Sequence, residues 1–365
     1  METILSLPLE KKIGQLFFIG IPGPEFDERT RRLVRDIEPG GVCLFARNIR
    51  EAGKTRELLD SIITASDIAP LLSVDQEGGL VDRLRRVAEP MPAASALKSA
   101  DDAAELGSIT AELLRLLGFN MNFAPVVDVI DEERTRLHNG LYSRAFGHSA
   151  IDASLFSSAY IAELQSGGIS GCLKHFPGLG ATEVDSHEEL PVVKLSAEDL
   201  EAIDLAPYRT HIQSGAARAV MLAHAAFPAH YLQERDADGR LLPSSLSSSF
   251  VNDLLRGKLG FDGVTITDDM EMGAIIKNYG IGTAAVIAVS AGVDMLAICN
   301  DEGRIREAFG AVLDAVGRGE IDEARIDESL QRIGRLKNLI EPAPEFSSDR
   351  LAALSERIRL LKGRL

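Results

Sequence analysis

Short apolar runs along this chain end in residues that can do chemistry. Asp75 closes LLSVD, Asp128 lies in APVVDV, Lys174 and His175 lie in GCLKHF, His224 in VMLAHAAF, and Asp268 and Asp269 close VTITDD. One charged residue at a strand end can be a cap or a loop anchor, but several converging on one rim build a site. A carboxylate in such a place can attack the anomeric carbon of a sugar and form a covalent glycosyl-enzyme. Of the two adjacent aspartates, strand alternation predicts that only one faces the cleft. An aspartate pair that only caps the next segment is the plain alternative. A second piece follows Lys174 and His175, where Pro177, Gly178 and Gly180 shape a tight turn and the loop beyond carries Asp185 and His187. A carboxylate beside a histidine fixes its tautomer and favours the imidazolium, which makes an oriented general acid/base. The D-x-H spacing alone is a weak signal, and a surface loop reading stands beside it.

The elements that must position these residues repeat along the chain. Apolar runs at 16–20, 41–45, 71–75, 121–129, 171–176, 219–227, 264–268 and 295–299 read as strands. Helix-period stretches lie between them, at 28–36, 55–66, 103–117, 153–165, 198–214, 250–259 and 283–291. Asp152 and Ser196 are the expected N-caps of the fourth and fifth. Strand and helix in alternation imply right-handed crossovers and a parallel sheet. Eight units favour an α/β fold of the closed (β/α)8 TIM-barrel type over a doubly wound sheet, and no GxGxxG opens a helix after the first strand. The long polar segments at 77–100, 130–150, 177–196 and 229–249 all follow strands, so a barrel gathers them at its C-terminal face around a walled cleft. The expected domain division is a catalytic barrel over 1–340 and a helical extension over 341–365 that packs on it. The basic residues from Arg357 to Arg364 read as a solvated helix face.

Composition narrows the partners. The formal net charge is -16, which repels phosphate backbones and anionic headgroups, so neither nucleic acid nor a membrane surface is expected. Cys43, Cys172 and Cys299 each lie in an apolar run and read as buried small hydrophobes, with no disulfide or zinc spacing. A reducing compartment fits. The N-terminal residues have no basic region followed by a long apolar stretch, so a cytoplasmic location is the default expectation. The chain is expected to act as a monomer. No metal or other cofactor is expected.

Four motifs carry a family resemblance: VDQEGG at 74–79, KHFPG at 174–178, DSH at 185–187 and GFDGVTITDDMEMGAI at 260–275. Together they resemble glycoside hydrolase family 3, and within it the single-domain bacterial β-N-acetylglucosaminidases (β-N-acetylhexosaminidases) of peptidoglycan recycling. Weaker echoes at 40–49, 121–129, 143–147, 221–229 and 288–296 keep the same order. The resemblance implies a retaining hydrolase of terminal β-linked N-acetylglucosamine, so a carbohydrate substrate is the expected partner. It implies Asp268, rather than Asp269, as nucleophile and Asp185 with His187 as an acid/base dyad. It further implies Asp75, Arg83, Arg144, Lys174 and His175 as sugar-binding residues.

This sequence departs from the family pattern at two places. Leu179 stands where the family has histidine, and Leu80 where it has arginine, so two polar groups at the cleft's edge become apolar. Three other readings remain at this level: a different β-glycosidase or a phosphorylase on the same scaffold, a metal-dependent barrel hydrolase using His175, His187, His224, Asp75 and Asp268, and a non-enzymatic sugar-binding barrel. No HxH or HExxH supports the metal reading.

Overall fold

The structure is a computed structural model, and it describes residues 2–137, 139–182 and 190–365. Eight parallel strands form the centre: β1 Phe17–Gly20, β2 Gly41–Leu44, β3 Leu71–Val74, β4 Met121–Asn122, β5 Ser170–Phe176, β6 Ala219–Leu222, β7 Val264–Thr267 and β8 Leu296–Ile298. Each pairs with its neighbour in chain order, and β8 returns to β1 through Phe17↔Leu296, Phe18↔Ala297 and Ile19↔Ile298. An isolated bridge between Ile266 and Met295, with Thr267 N–H donating to the Met295 carbonyl at 3.0 Å, closes β7 onto β8. The result is the (β/α)8 barrel, a single domain followed by C-terminal helices. Strands covered on both faces must be apolar on both, which is why these runs show little alternation; β1, β2, β3, β6 and β7 are buried at every position. Phe18 and Phe123 fill the interior edge to face, with ring centroids 5.0 Å apart.

Six expected strands match within one residue, and two run short for identifiable reasons. The run at 121–129 makes a ladder only over Met121–Asn122, because Pro125 has no N–H to donate; a single bridge, Val126↔Lys174, follows. The run at 219–227 leaves the barrel after Leu222, and Ala226 pairs instead with the 191–193 segment: its N–H donates to the Pro191 carbonyl and its carbonyl accepts from Val193 N–H.

Helices cover the outside. Glu28–Ile37 buries Leu33, Val34 and Ile37. Ser149, not Asp152, caps Ala150–Ser166, accepting the Asp152 N–H while its hydroxyl bonds the Asp152 carboxylate. Ser196 caps the next helical stretch as expected. That stretch is helical throughout but not uniformly α: a wider π-helical turn over Leu200–Asp204 leads into Leu205–Gln213, just before Pro207, which has no N–H to donate to the preceding turn. The terminal helix Ser348–Lys362 packs on Ala100–Leu117. Its basic residues are paired rather than simply solvated: Arg357 bonds Glu105 and Glu112, and Arg359 and Lys362 reach Glu89. Cys43, Cys172 and Cys299 are buried. Among the described residues no helix is long and apolar enough to cross a membrane.

Candidate active site

The C-terminal ends of the strands enclose a cavity of about 290 Å3. That is near the lower end of small-molecule sites, which run from about 300 to 1,000 Å3. Asp75, Arg83, Arg144, Lys174, His175 and Asp268, expected from sequence to form the site, all line it. Asp185 and His187 lie outside the described residues.

Three backbone devices set the polar floor. Asn122 of β4 brackets the peptide groups of Gln76: its Oδ1 accepts the Gln76 N–H at 3.0 Å and its Nδ2 donates to the Gln76 carbonyl at 2.9 Å. Asp75 and Glu77, on either side, then project into the cavity. A hairpin of Gln76–Gly78 with Val81–Asp82 follows, fastened by Gln76 Nε2 donating to Asp82 Oδ1 at 2.8 Å. Gly78 holds φ 89°, and a Cβ there would lie 2.1 Å from the Pro92 carbonyl, so the turn excludes other residues. Past β5, Gly178 faces Asp204 with room for no Cβ, and Asp204 is clamped by Arg134 through two bonds of 2.8 and 2.9 Å. Burial outweighs Arg134 and pushes the Asp204 carboxyl up to about 6.

The floor itself is one ionic network. Lys174 Nζ lies 2.6 Å from Asp75 Oδ1 and 2.7 Å from Glu77 Oε1. Arg144 grips Glu77 with both Nε (2.7 Å) and Nη2 (3.0 Å). Burial opposes the Glu77 charge, but Lys174 and Arg144 overcome it and hold the carboxyl at about 2. The Lys174–His175 peptide is cis, and both side chains line the cavity. Asp128 fixes His175: its Oδ2 accepts from Nδ1 at 2.7 Å and from the backbone N–H at 3.2 Å, while its Oδ1 accepts the Leu179 N–H at 2.7 Å. The network assigns the imidazole proton to Nδ1 and turns Nε2 toward Arg144, 3.5 Å away.

Asp268 and Asp269 both line the cavity, against the expectation from strand alternation. β7 ends at Thr267, so the alternation no longer applies. The two carboxylates differ in their partners. Among the described residues, the side chain of Asp268 accepts one hydrogen bond, from the Asp269 N–H at 2.8 Å. Burial would raise its pKa; His175, His224, that N–H and Lys174 reverse the effect and hold it below the ordinary carboxylate range. Asp269 spends one oxygen on its own loop and the other on the loop after β8, accepting from Glu271 N–H at 3.1 Å and Asn300 Nδ2 at 3.2 Å. Burial, with the charges of Glu271 and Asp268, pushes it up to about 7. An ionised, exposed-to-cavity carboxylate suits a nucleophile; a carboxyl tied to two loop groups suits an anchor.

Glu77 is not among the residues that the sequence singles out, whereas Asp128 is. Both hold other site residues in place, and the signal for Glu77 was its position two after Asp75 in an extended segment. His224 is fully buried, between Ser245 Oγ at 2.7 Å and the Asp269 carbonyl at 3.2 Å, and does not line the cavity. Arg83 lines it half-buried, and its Nε has no hydrogen-bond partner among the described residues. Leu80 is exposed at the cavity's edge as expected, but Leu179 lines the cavity as a buried residue, only 6% exposed. Among the described residues no three His, Cys, Asp or Glu side chains are grouped to hold a metal ion.

Comparison with known proteins gives a consistent result. Residues 8–336 match the Glycosyl hydrolase family 3 N terminal domain. A Beta-hexosaminidase of Pseudomonas aeruginosa (strain LESB58) is 34% identical over 303 residues, 80% of this chain and 85% of that protein. A Beta-hexosaminidase of Nitrosomonas eutropha is 31% identical over 353 residues, 92% of this chain and 97% of that protein. Among solved structures, a glycoside hydrolase family 3 beta-N-acetylglucosaminidase from Paenibacillus sp. str. FPU-7 superposes with a TM-score of 0.87 at 35% identity, covering 98% of this chain and 69% of that one.

Proposed function

The chain belongs to glycosyl hydrolase family 3 and is a glycoside hydrolase, and we propose that it is a retaining β-N-acetylhexosaminidase that releases terminal β-linked N-acetylglucosamine through a covalent intermediate on Asp268. The observation that carries this reading is the contrast between Asp268, ionised and facing the cavity, and the saturated carboxylates around it. The sugar specificity rests on the relatives, a Beta-hexosaminidase and a beta-N-acetylglucosaminidase.

In this mechanism Asp75, Lys174, Arg144 and Arg83 hold the sugar hydroxyls through charge-assisted hydrogen bonds. The Asp268 carboxylate attacks the anomeric carbon as the glycosidic bond breaks, and the leaving oxygen takes a proton from the His187 imidazolium. A water then attacks the same carbon, gives its proton to the neutral imidazole and releases Asp268. Two inversions retain the β configuration. Asp185 orients and charges His187. The dyad rests on its motif, DSH at 185–187, which the family resemblance matches to the acid/base position.

The test is turnover of p-nitrophenyl β-N-acetylglucosaminide, unchanged by EDTA and not raised by phosphate. His187→Ala slows deglycosylation, and added azide restores turnover with the β-glycosyl azide as product. An unchanged deglycosylation rate in that variant removes the dyad from the mechanism, and phosphate-dependent turnover replaces hydrolysis with phosphorolysis.

A further inference from the structure

The cavity lining changes character from floor to mouth. Glu77, Lys174 and His175 are buried, while Phe45 and Val81 are half-buried and Leu80 is 62% exposed, the most exposed side chain on the lining. Leu80 is not a loosely held surface residue. It sits on the two-residue turn of the hairpin whose base supplies Asp75 and Glu77. The Gly79 N–H donates to the Met91 carbonyl at 3.1 Å, and Arg85 Nη2 donates to the Gly79 carbonyl at 2.6 Å. A Cβ on Gly79 would lie 2.7 Å from that of Ala93, so the turn is seated against the 91–93 segment. A large apolar side chain is thus held in water beside the cavity, with half-buried apolar neighbours on the same lining.

The scissile bond fixes what meets it. The ring being cleaved must sit against Asp268 and the ionic floor, so the leaving group extends outward, past the partly exposed lining. We propose that Leu80, with Val81 and Phe45, forms a leaving-group subsite that favours a neutral aglycone with an apolar face, aryl or alkyl, over a carboxylate-bearing one. An apolar leaving group covers the leucine and gains the free energy of removing its surface from water. A carboxylate set against the leucine, valine and phenylalanine faces would lose hydration that those faces cannot replace. Leu80 is therefore a specificity-determining residue whose effect is confined to steps in which the leaving group is present.

This inference rests on the reading of the enzyme as a β-N-acetylhexosaminidase, and the experiment separates the two. The intact enzyme is assayed with β-N-acetylglucosaminides of 4-propylphenol, 4-(3-hydroxypropyl)phenol and 4-(2-carboxyethyl)phenol. These phenols have similar acidity, so differences in kcat/KM report contacts rather than leaving-group chemistry. Wild type is expected to favour propyl over carboxyethyl by about tenfold, with hydroxypropyl between them. Leu80→Ala should shrink that ratio about fivefold and Leu80→Arg should reverse it, while the rate of hydrolysis of the shared glycosyl-enzyme stays constant. Equal kcat/KM across the wild-type panel, or a preference for the carboxylate such as an acidic sugar leaving group would produce, overturns the subsite. A ratio unaltered in both variants overturns the role of Leu80. Failure to cleave any member of the panel counts instead against the hexosaminidase reading.

Discussion

Two buried acidic clusters sit at opposite ends of this barrel and do different things. At the N-terminal end, Asp294 precedes β8. Its Oδ2 accepts from Arg256 Nη2 (2.7 Å), Thr265 N–H (2.9 Å) and Thr265 Oγ1 (3.0 Å), and its Oδ1 from Ser329 Oγ (2.9 Å), Arg332 Nη1 (3.2 Å) and Arg325 Nη2 (3.3 Å). Every acceptor position is taken, and the cluster ties β7 and β8 to the Glu323–Lys337 helix. At the C-terminal end, Asp268 has one hydrogen bond among the described residues and opens on a cavity. A saturated carboxylate holds structure together. An ionised carboxylate with unused lone pairs, in a site where Lys174 and Arg144 are committed to Asp75 and Glu77, is free to react. The barrel assigns stability to one face and chemistry to the other.

That contrast can be broken at either end. The largest effect is expected for Asp268→Asn, which keeps shape and removes the negative charge: kcat/KM should fall about 10⁴-fold or more, with little change in Tm. A comparable loss of Tm would instead make Asp268 structural. Next is Asp294→Asn. It leaves three arginines without their shared counter-ion and should cost about 3–5 kcal/mol in denaturant unfolding, with kcat/KM of the folded fraction unaltered. Lost activity in the folded enzyme would erase the distinction between the two ends.

Glu77→Gln tests the intermediate case, a saturated carboxylate inside the site. Lys174 and Arg144 would each lose an ionic partner, and kcat/KM should fall about 10²-fold, the kinetic equivalent of roughly 3 kcal/mol for a broken buried pair. A loss of stability alone would place Glu77 with Asp294. The smallest effect concerns pH. The Glu77 carboxyl is depressed to about 2 from an ordinary 4.5. Its contribution to stability is present above pH 4.5 and disappears as the pH falls through about 2. Wild type should therefore lose on the order of 2 kcal/mol over that interval that Glu77→Gln does not lose. Parallel pH–stability curves for the two proteins would show that the network is not charged as described.

Most of the barrel was legible in the sequence because its strands are short uninterrupted apolar runs between helix-period segments. Where the pattern misled, a local interaction won. Pro125 cut the fourth strand short, Ala226 found a partner outside the barrel, and Ser149 rather than Asp152 took the cap. The candidate site was only partly legible. Asp75, Lys174, His175 and Asp268 stand at strand ends and announce themselves, whereas Arg83 and Arg144 lie in loops and entered through motif resemblance. Glu77 escaped because its work is done on another side chain, 97 residues away at Lys174, whereas Asp128 stands out near a strand end but its partner, His175, lies 47 residues on. Such pairings depend on which strands become neighbours, which one-dimensional spacing does not encode. The assumption that Asp268 and Asp269 must face opposite ways failed because the strand ends one residue earlier.

The most direct measurement is covalent trapping with a slow fluorinated β-glycoside, followed by mass mapping of the labelled peptide. One label per chain on Asp268, absent from Asp268→Asn and present in Asp269→Asn, is the predicted result. A label on Asp269, or labelling that survives in Asp268→Asn, would contradict the assignment of the nucleophile.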